Sequence, residues 1–252
     1  MNRLLKWWLC VLLFFGIVCV LPQSVSGVEE ELTAEQFVKR VRRPLPQLSY
    51  GKLSGEARHM RRGRDAETAK IELNIMFNPE RTMAQLVLDG QEGYFIGQTY
   101  AAGRDGSTVT PMNDTGYPDS KLAEFGMRPD DLTLSFLYWR FDREFEPESV
   151  MTVSCRVLLF QSETTGEWVK AYVSKEYYYP LKAEWFPKGE TEFKTPERTM
   201  EINSVQKEND YYLVKKLSIF GPGWATRIAF DKLEAAALDP DNPPNIFLTI
   251  GE

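Results

Sequence analysis

Past Pro46 the chain is dominated by apolar and polar residues alternating with a period of two. Ile71, Leu73, Ile75 and Phe77 alternate with Lys70, Glu72 and Asn74. After the turn Asn78-Pro79-Glu80, Ala84, Leu86 and Leu88 alternate with Gln85 and Val87. Such alternation places one face of a strand on a core and the other toward water. Asp89-Gly90-Gln91 then turns into Gly93-Tyr94-Phe95-Ile96. The second half repeats the pattern in Val153, Cys155, Val157 and Leu159, then in Val169, Ala171 and Val173. Leu181, Ala183 and Trp185 follow, and then Met200 and Ile202. Lys207-Glu208-Asn209-Asp210 reads as a hairpin turn into 211–220, and Gly221-Pro222-Gly223 as a turn into 224–231. Together these predict a meander of antiparallel strands joined by tight turns.

Four stretches depart from that pattern. Residues 35–43 fit a short helix that starts at a Thr33 cap, with Gln36 completing a capping box, and stops before Pro44 and Pro46. Residues 101–120, rich in Gly, Asp, Ser, Thr and Pro, read as a long loop. Acids open the segment 130–139, and Leu132, Phe136 and Trp139 then fall at i, i+4, i+7. That spacing predicts a short amphipathic helix. Residues 232–238 read as one helical turn. No internal repeat and no linker divides the chain.

The N-terminus changes the picture. Arg3 and Lys6 precede an apolar run from Trp7 to Leu21, Pro22 breaks it, and Val25-Ser26-Gly27 ends on small residues. This is the composition of a secretory signal peptide over residues 1–27, cleaved near Gly27, with a single domain in residues 28–252. A retained anchor is the competing reading, but the run is short of the roughly 20 residues a spanning helix needs. Bulky Val18 before Cys19 argues against lipid attachment there. Removal of the leader takes Cys10 and Cys19 with it, so Cys155 alone remains and no intramolecular disulfide forms. The formal net charge of −6 argues against a nucleic-acid partner.

Reactive chemistry is sparse. His59 is the one histidine. With no Gly-x-Ser-x-Gly elbow and too few His and Cys for zinc, it reads as an exposed residue at a strand end. Arg58, Arg61, Arg62 and Arg64 read as a solvated hairpin end. Asp142, Glu144, Glu146 and Glu148 carry acids at alternate positions, without the Gly-punctuated loop of a calcium site. No metal and no cofactor is expected. Asn113-Asp114-Thr115 is a formal glycosylation sequon. Cys155 is expected as a small buried hydrophobe on a strand. Aromatic residues make up 13% of the chain, with the densest run at 177–186.

Four stretches carry a family resemblance: 131–139 (DLTLSFLYW), 155–159 (CRVLL), 173–184 (VSKEYYYPLKAE) and 221–230 (GPGWATRIAF). In order and spacing, with the signal peptide and the mid-chain break, the chain resembles the bacterial outer-membrane lipoprotein-sorting proteins of the LolA/LolB-like superfamily over most of 50–232. The resemblance implies a mainly β fold, an incomplete, curved antiparallel β-barrel whose concave face is covered by short helices. It implies a non-enzymatic periplasmic carrier that shields acyl chains of lipoproteins, or another lipid, in an apolar cavity. An inner-membrane export complex and an outer-membrane acceptor would be its partners. Leu181, Trp185 and Ile202 are the candidate cavity residues, and Leu132, Phe136 and Trp139 the candidate lid, with a fixed core helix as the competing reading of 130–139. In that family an internal arginine holds the lid shut, and Arg81 is the nearest candidate here. A lipid or envelope-stress sensor on the same fold is one alternative. A secreted hydrolase, recognisable by paired carboxylates in a polar cleft, is another.

Overall fold

The computed structural model describes residues 32–43, 47–100, 106–113, 118–239, 241 and 244–248. The signal peptide read in residues 1–27 and the last two residues of the sequon, Asp114 and Thr115, lie outside them. Residues Thr33–Glu252 group as one compact unit.

Thr33 caps the first helix, α1 (Ala34–Val41), in a full capping box with Gln36, and Phe37 and Val38 face inward. The strands that follow are β1 (Ser49–Arg61), β2 (Glu67–Phe77), β3 (Arg81–Leu88), β4 (Glu92–Thr99) and β5 (Ser107–Pro111). A covering segment, 118–139, holds the one-turn helix α2 (Lys121–Glu124). The second series is β6 (Arg140–Val150), β7 (Val153–Gln161), β8 (Trp168–Ser174), β9 (Pro180–Phe186), β10 (Arg198–Glu208), β11 (Tyr211–Gly221) and β12 (Trp224–Ala237).

All twelve described strands form one antiparallel sheet in the order β5-β4-β3-β2-β1-β12-β11-β10-β9-β8-β7-β6. Each series is a meander, and β1 pairs with β12 in the middle. The two edges, β5 and β6, do not meet. The fold is therefore mainly β, an incomplete and curved barrel with short helices over its concave face. The chain passes from one edge to the other through 118–139, so that segment lies across the open interior as a strap.

Several elements differ from the sequence reading. β5 runs through part of the expected loop 101–120. β6 was hidden by its polarity: as an edge strand it has little to bury, so its alternating acids signal no apolar face. The expected helical turn at 232–238 is the continuation of β12, held by pairing with β1 out to Ser49 opposite Ala237. The segment 130–139 forms two 3-10 turns, Asp131–Thr133 and Ser135–Tyr138, and not one α-helix. Leu134 between them has φ 56°. A left-handed leucine breaks the helical register and costs roughly 1–3 kcal/mol, sustained only by its surroundings.

A bulge interrupts the β1–β12 ladder beside Gly55. A Cβ there would lie 2.0 Å from the carbonyl oxygen of Ala229, so only glycine permits this approach. Farther along, the β11–β12 ladder ends at Lys216 opposite Ala229, while β12 continues with β1 and β11 continues with β10. The sheet thus forks between β11 and β12. Asn209 Nδ2 bridges the fork to Ala235 O at 2.6 Å.

Candidate functional site

Parity along the ladders defines the concave face. It carries Leu53, Ala57 and His59 on β1, Leu73 and Ile75 on β2, Met200 and Ile202 on β10, and Leu217 and Ile219 on β11. Thr226, Ile228 and Phe230 on β12 complete that half. On the other half it carries Leu158 and Phe160 on β7, Val169 and Ala171 on β8, and Ala183 and Trp185 on β9.

The strap is fixed along its length. At its start, Glu92 accepts bonds from the backbone N–H groups of Lys121 and Leu122, which opens α2 on a carboxylate. Gly126 follows with φ +70°, and a Cβ there would fall 2.2 Å from the Trp224 ring. Thr226 Oγ1 lies 2.5 Å from Phe125 O. His59 Nδ1 lies 2.8 Å from the same hydroxyl, and its ring stacks on Phe125 at 5.1 Å. Because Thr226 donates its proton to Phe125 O, His59 must donate from Nδ1, which leaves Nε2 as an acceptor. Nε2 is buried without a hydrogen-bond partner among the described residues. His59 is thus 5% exposed, against the exposure expected from sequence: the alternation of β1 turns it inward, under the strap. Burial, then the charge of Arg61, pulls its pKa below the ordinary value.

Midway, Arg198 of β10 meets Asp131 of the strap through two bonds, Nη1–Oδ2 at 2.5 Å and Nη2–Oδ1 at 2.9 Å. Both side chains are almost wholly buried. Asp131 Oδ2 also accepts the backbone N–H of Arg128 at 2.7 Å. The Arg198 guanidinium lies 4.1 Å over the Trp185 ring, and Trp185 meets Phe136 edge-on at 5.3 Å. Arg128 grips Glu167 of the β7–β8 turn at 2.6 and 2.9 Å. Burial would raise the Glu167 pKa, but Arg128 holds it below the usual value. Next to these pairs, burial and the neighbouring Asp131 push the Asp130 carboxyl up. At the far end Arg42, just past α1, donates to the carbonyls of Leu137 and Trp139 at 2.6 and 2.5 Å. Arg81, the nearest candidate in the sequence for an internal arginine, is exposed, because it opens β3 at a turn. Arg198 and Arg42 are the arginines that touch the strap from within.

An apolar cavity lies under the strap, with a volume of about 160 Å³. Leu53, Leu73, Ile75, Met200, Ile202, Leu217 and Phe230 form its floor, and residues 131–134 its roof. Tyr179, Tyr212 and Val214 stand at one end of it. Asp131 is the one carboxylate on its wall among the described residues, and it is paired with Arg198. The site therefore offers an apolar surface and hydroxyls, with no free acid or base pair.

Of the residues singled out from sequence, Leu132 and Ile202 line this cavity together. Phe136 and Trp139 belong to the same strap but are buried at 2% and 7% exposure, and Phe136 packs on Trp185 beside the cavity. Leu181 does not join them. It sits at a register shift in β9 and packs with Cys155, Val157 and Tyr172 on the opposite face. The irregularity reverses its side, which simple alternation with Trp185 could not reveal. Cys155 is a free, fully buried strand residue, as expected. Sequence reasoning missed Leu53, whose strand it did not find, and Leu217 and Phe230, whose strands it found without assigning their inward face. It also missed Arg198 and Asp131, whose pairing spans 67 residues.

No protein-family model and no curated protein sequence matches the chain. Its fold does match solved structures. A DUF1329 family protein from Desulfovibrio piger superposes with TM-score 0.57 at 15% identity, over 79% of this chain and 90% of that one. A putative outer membrane lipoprotein-sorting protein domain from Vibrio parahaemolyticus gives TM-score 0.59 at 13% identity, covering 81% and 92%. The LolA superfamily protein NE2245 from Nitrosomonas europaea gives 0.55 at 10% identity, covering 83% and 96%. The chain accordingly has a LolA-like fold.

Proposed function

We propose that this protein is a periplasmic carrier of lipid acyl chains, exported by the leader at 1–27 and working without catalysis. The observation that carries the reading is the apolar cavity closed by a strap, itself held by a buried ion pair. Its chemistry suits a ligand that needs shelter and no reaction. Each methylene removed from water gains about 0.8 kcal/mol, so an apolar lining alone supplies affinity. A cavity near 150 Å³ holds roughly six carbons, the size of a benzene ring. The closed form thus admits a chain end. A full acyl chain requires residues 132–134, the half-exposed roof with its strained Leu134, to move outward. Lipoproteins of the outer membrane are the leading cargo, with an export complex and an acceptor as partners, because the neighbouring folds include a lipoprotein-sorting domain.

The test is native mass spectrometry and lipid extraction of the protein purified from periplasm. Co-purifying lipid or acylated protein, lost when Ile202 and Leu132 are both changed to Asp, is the expected result. A protein that arrives empty and takes up no fluorescent fatty acid overturns the reading.

A further inference from the structure

Among the described residues the four most exposed large hydrophobic side chains are Tyr212 at 68%, Tyr177 at 64%, Met151 at 52% and Val205 at 45%. They are scattered in sequence and gathered by topology. Met151 lies in the turn from β6 to β7, Tyr177 in the turn from β8 to β9, and Val205 and Tyr212 on the β10–β11 hairpin. In an antiparallel meander alternate turns share an end of the sheet, so these three project on the same side. Lys175 N bonds Ser154 O at 3.1 Å, tying the second turn to the base of the first hairpin. Val205 faces Val214, and Lys207 faces Tyr212 across the hairpin. The cavity reaches this end, since Tyr212 is both its wall and the most exposed aromatic of the group.

We propose that this end of the molecule docks on an anionic phospholipid bilayer, with Met151, Tyr177 and Tyr212 entering the headgroup region. Three separate turns, two bearing one exposed apolar or amphipathic side chain and the third two, make no continuous patch of the kind a folded protein partner packs against. A soft interface accepts them, and tyrosine favours the headgroup depth. The charges agree. Arg40 lies over the Tyr178 ring at 5.1 Å, so the basic end of α1 borders the tips. Over residues 34–43 and the three hairpins 140–161, 168–186 and 198–221, 14 Lys and Arg stand against 10 Asp and Glu, in a chain whose formal net charge is −6. This local excess of cations complements a negative membrane surface. The carrier reading gives the docking its purpose, since a chain leaving the bilayer would meet the cavity directly; the surface itself stands on the tips.

Vesicle flotation tests it with the leader-free protein and phosphatidylcholine vesicles made with or without phosphatidylglycerol. Fatty-acid probe uptake and melting temperature are measured on the same preparations. Wild type should float with the phosphatidylglycerol vesicles and lose binding as salt rises. Tyr177→Ser with Tyr212→Ser should weaken flotation by about tenfold while the melting temperature holds, because binding scales with the apolar surface inserted. Val109→Ser, on β5, should float like wild type. Wild type that stays at the bottom of the gradient overturns the proposal, as does a double variant that floats undiminished. Attachment to native membranes alone, abolished when their proteins are digested, assigns the end to a protein receptor and also overturns it. Probe uptake without flotation would sink the docking and spare the carrier reading; flotation without uptake would do the reverse.

Discussion

Over β7 to β9 the concave face is packed with rings and long side chains. Phe160 lies under the Arg42 guanidinium at 5.3 Å, Arg156 sits 4.7 Å from the Phe37 ring, and Trp185 is clasped between Arg198 and Phe136. Over β1, β2, β11 and β12 the same face presents aliphatic side chains to the same strap and leaves about 160 Å³ open. The difference lies in what covers each half. The packed half has α1 as well as the strap, and its aromatic side chains reach far enough to interlock. Over the opening itself the open half has residues 131–134, turned by a left-handed leucine. Rigidity and vacancy are thus neighbours, with Arg198–Asp131 at the boundary.

The comparison breaks most severely if the packed half is emptied. Phe136→Ala should cost about 3–5 kcal/mol, the usual range for a buried phenylalanine. A drop of well under 1 kcal/mol in denaturant titration would mean that this part of the strap is already loose. Severing the boundary comes next. Arg198→Met strands the Asp131 carboxylate and should cost about 3 kcal/mol, while Arg198→Met with Asp131→Asn should recover much of it. If the double variant is no more stable than the single one, the pair is not what holds the strap. Its probe uptake should rise in either case, as the roof is released.

Filling the open half should be mild for stability and severe for binding. Ile202→Phe adds volume where space exists, so its stability should change by less than about 1.5 kcal/mol. Probe affinity should fall about tenfold, or 1.4 kcal/mol. Isothermal titration beside a melting curve separates the two quantities, and unchanged affinity would remove the cavity as the binding site.

The smallest effect concerns His59 under the start of the strap. Its folded pKa is lowered, by burial first and by Arg61 second, while Glu67 and Glu124 pull the other way. The unfolded chain therefore takes up the proton before the folded one as pH falls. Stability contributed by the neutral ring is complete above about pH 6.5 and declines below it. His59→Gln should lack this slope, so the gap in melting temperature between wild type and variant should narrow from pH 8 to pH 5 (values chosen to span the ordinary imidazole range of about 6.5). A constant gap would show that the ring is free to pick up its proton in place.

Legibility followed local periodicity. β2, β3, β7, β8 and β9 were readable because their apolar residues alternate along the pleat, and α1 because Thr33 and Gln36 specify its start. β1 was not, because Gly51, Ser54, Gly55 and Ala57 carry little hydrophobic signal on a strand whose inner face needs small residues for the sheet to bend. The strap could be located from Leu132, Phe136 and Trp139, but its conformation depends on Arg198 and Arg42, which approach from distant parts of the chain. Long-range ion pairs leave no local pattern. Leu181 shows the same limit on a smaller scale, since one register shift sends it to the other face.

The fork between β11 and β12 has a kinetic consequence. In a continuous sheet every interior amide is released only when the whole ladder opens. Here residues 211–215 of β11 are paired on one side alone, and so are residues 231–237 of β12, with Asn209 as the bridge. Swinging the β10–β11 hairpin outward disrupts that bond and the one from Gln47 Nε2 to Tyr211 Oη at 2.9 Å, and leaves the remaining ladder intact. Amide protons along the fork should therefore exchange with solvent through a local opening, at a free energy well below that of global unfolding. The cavity wall carried by Leu213 and Val214 opens in the same motion.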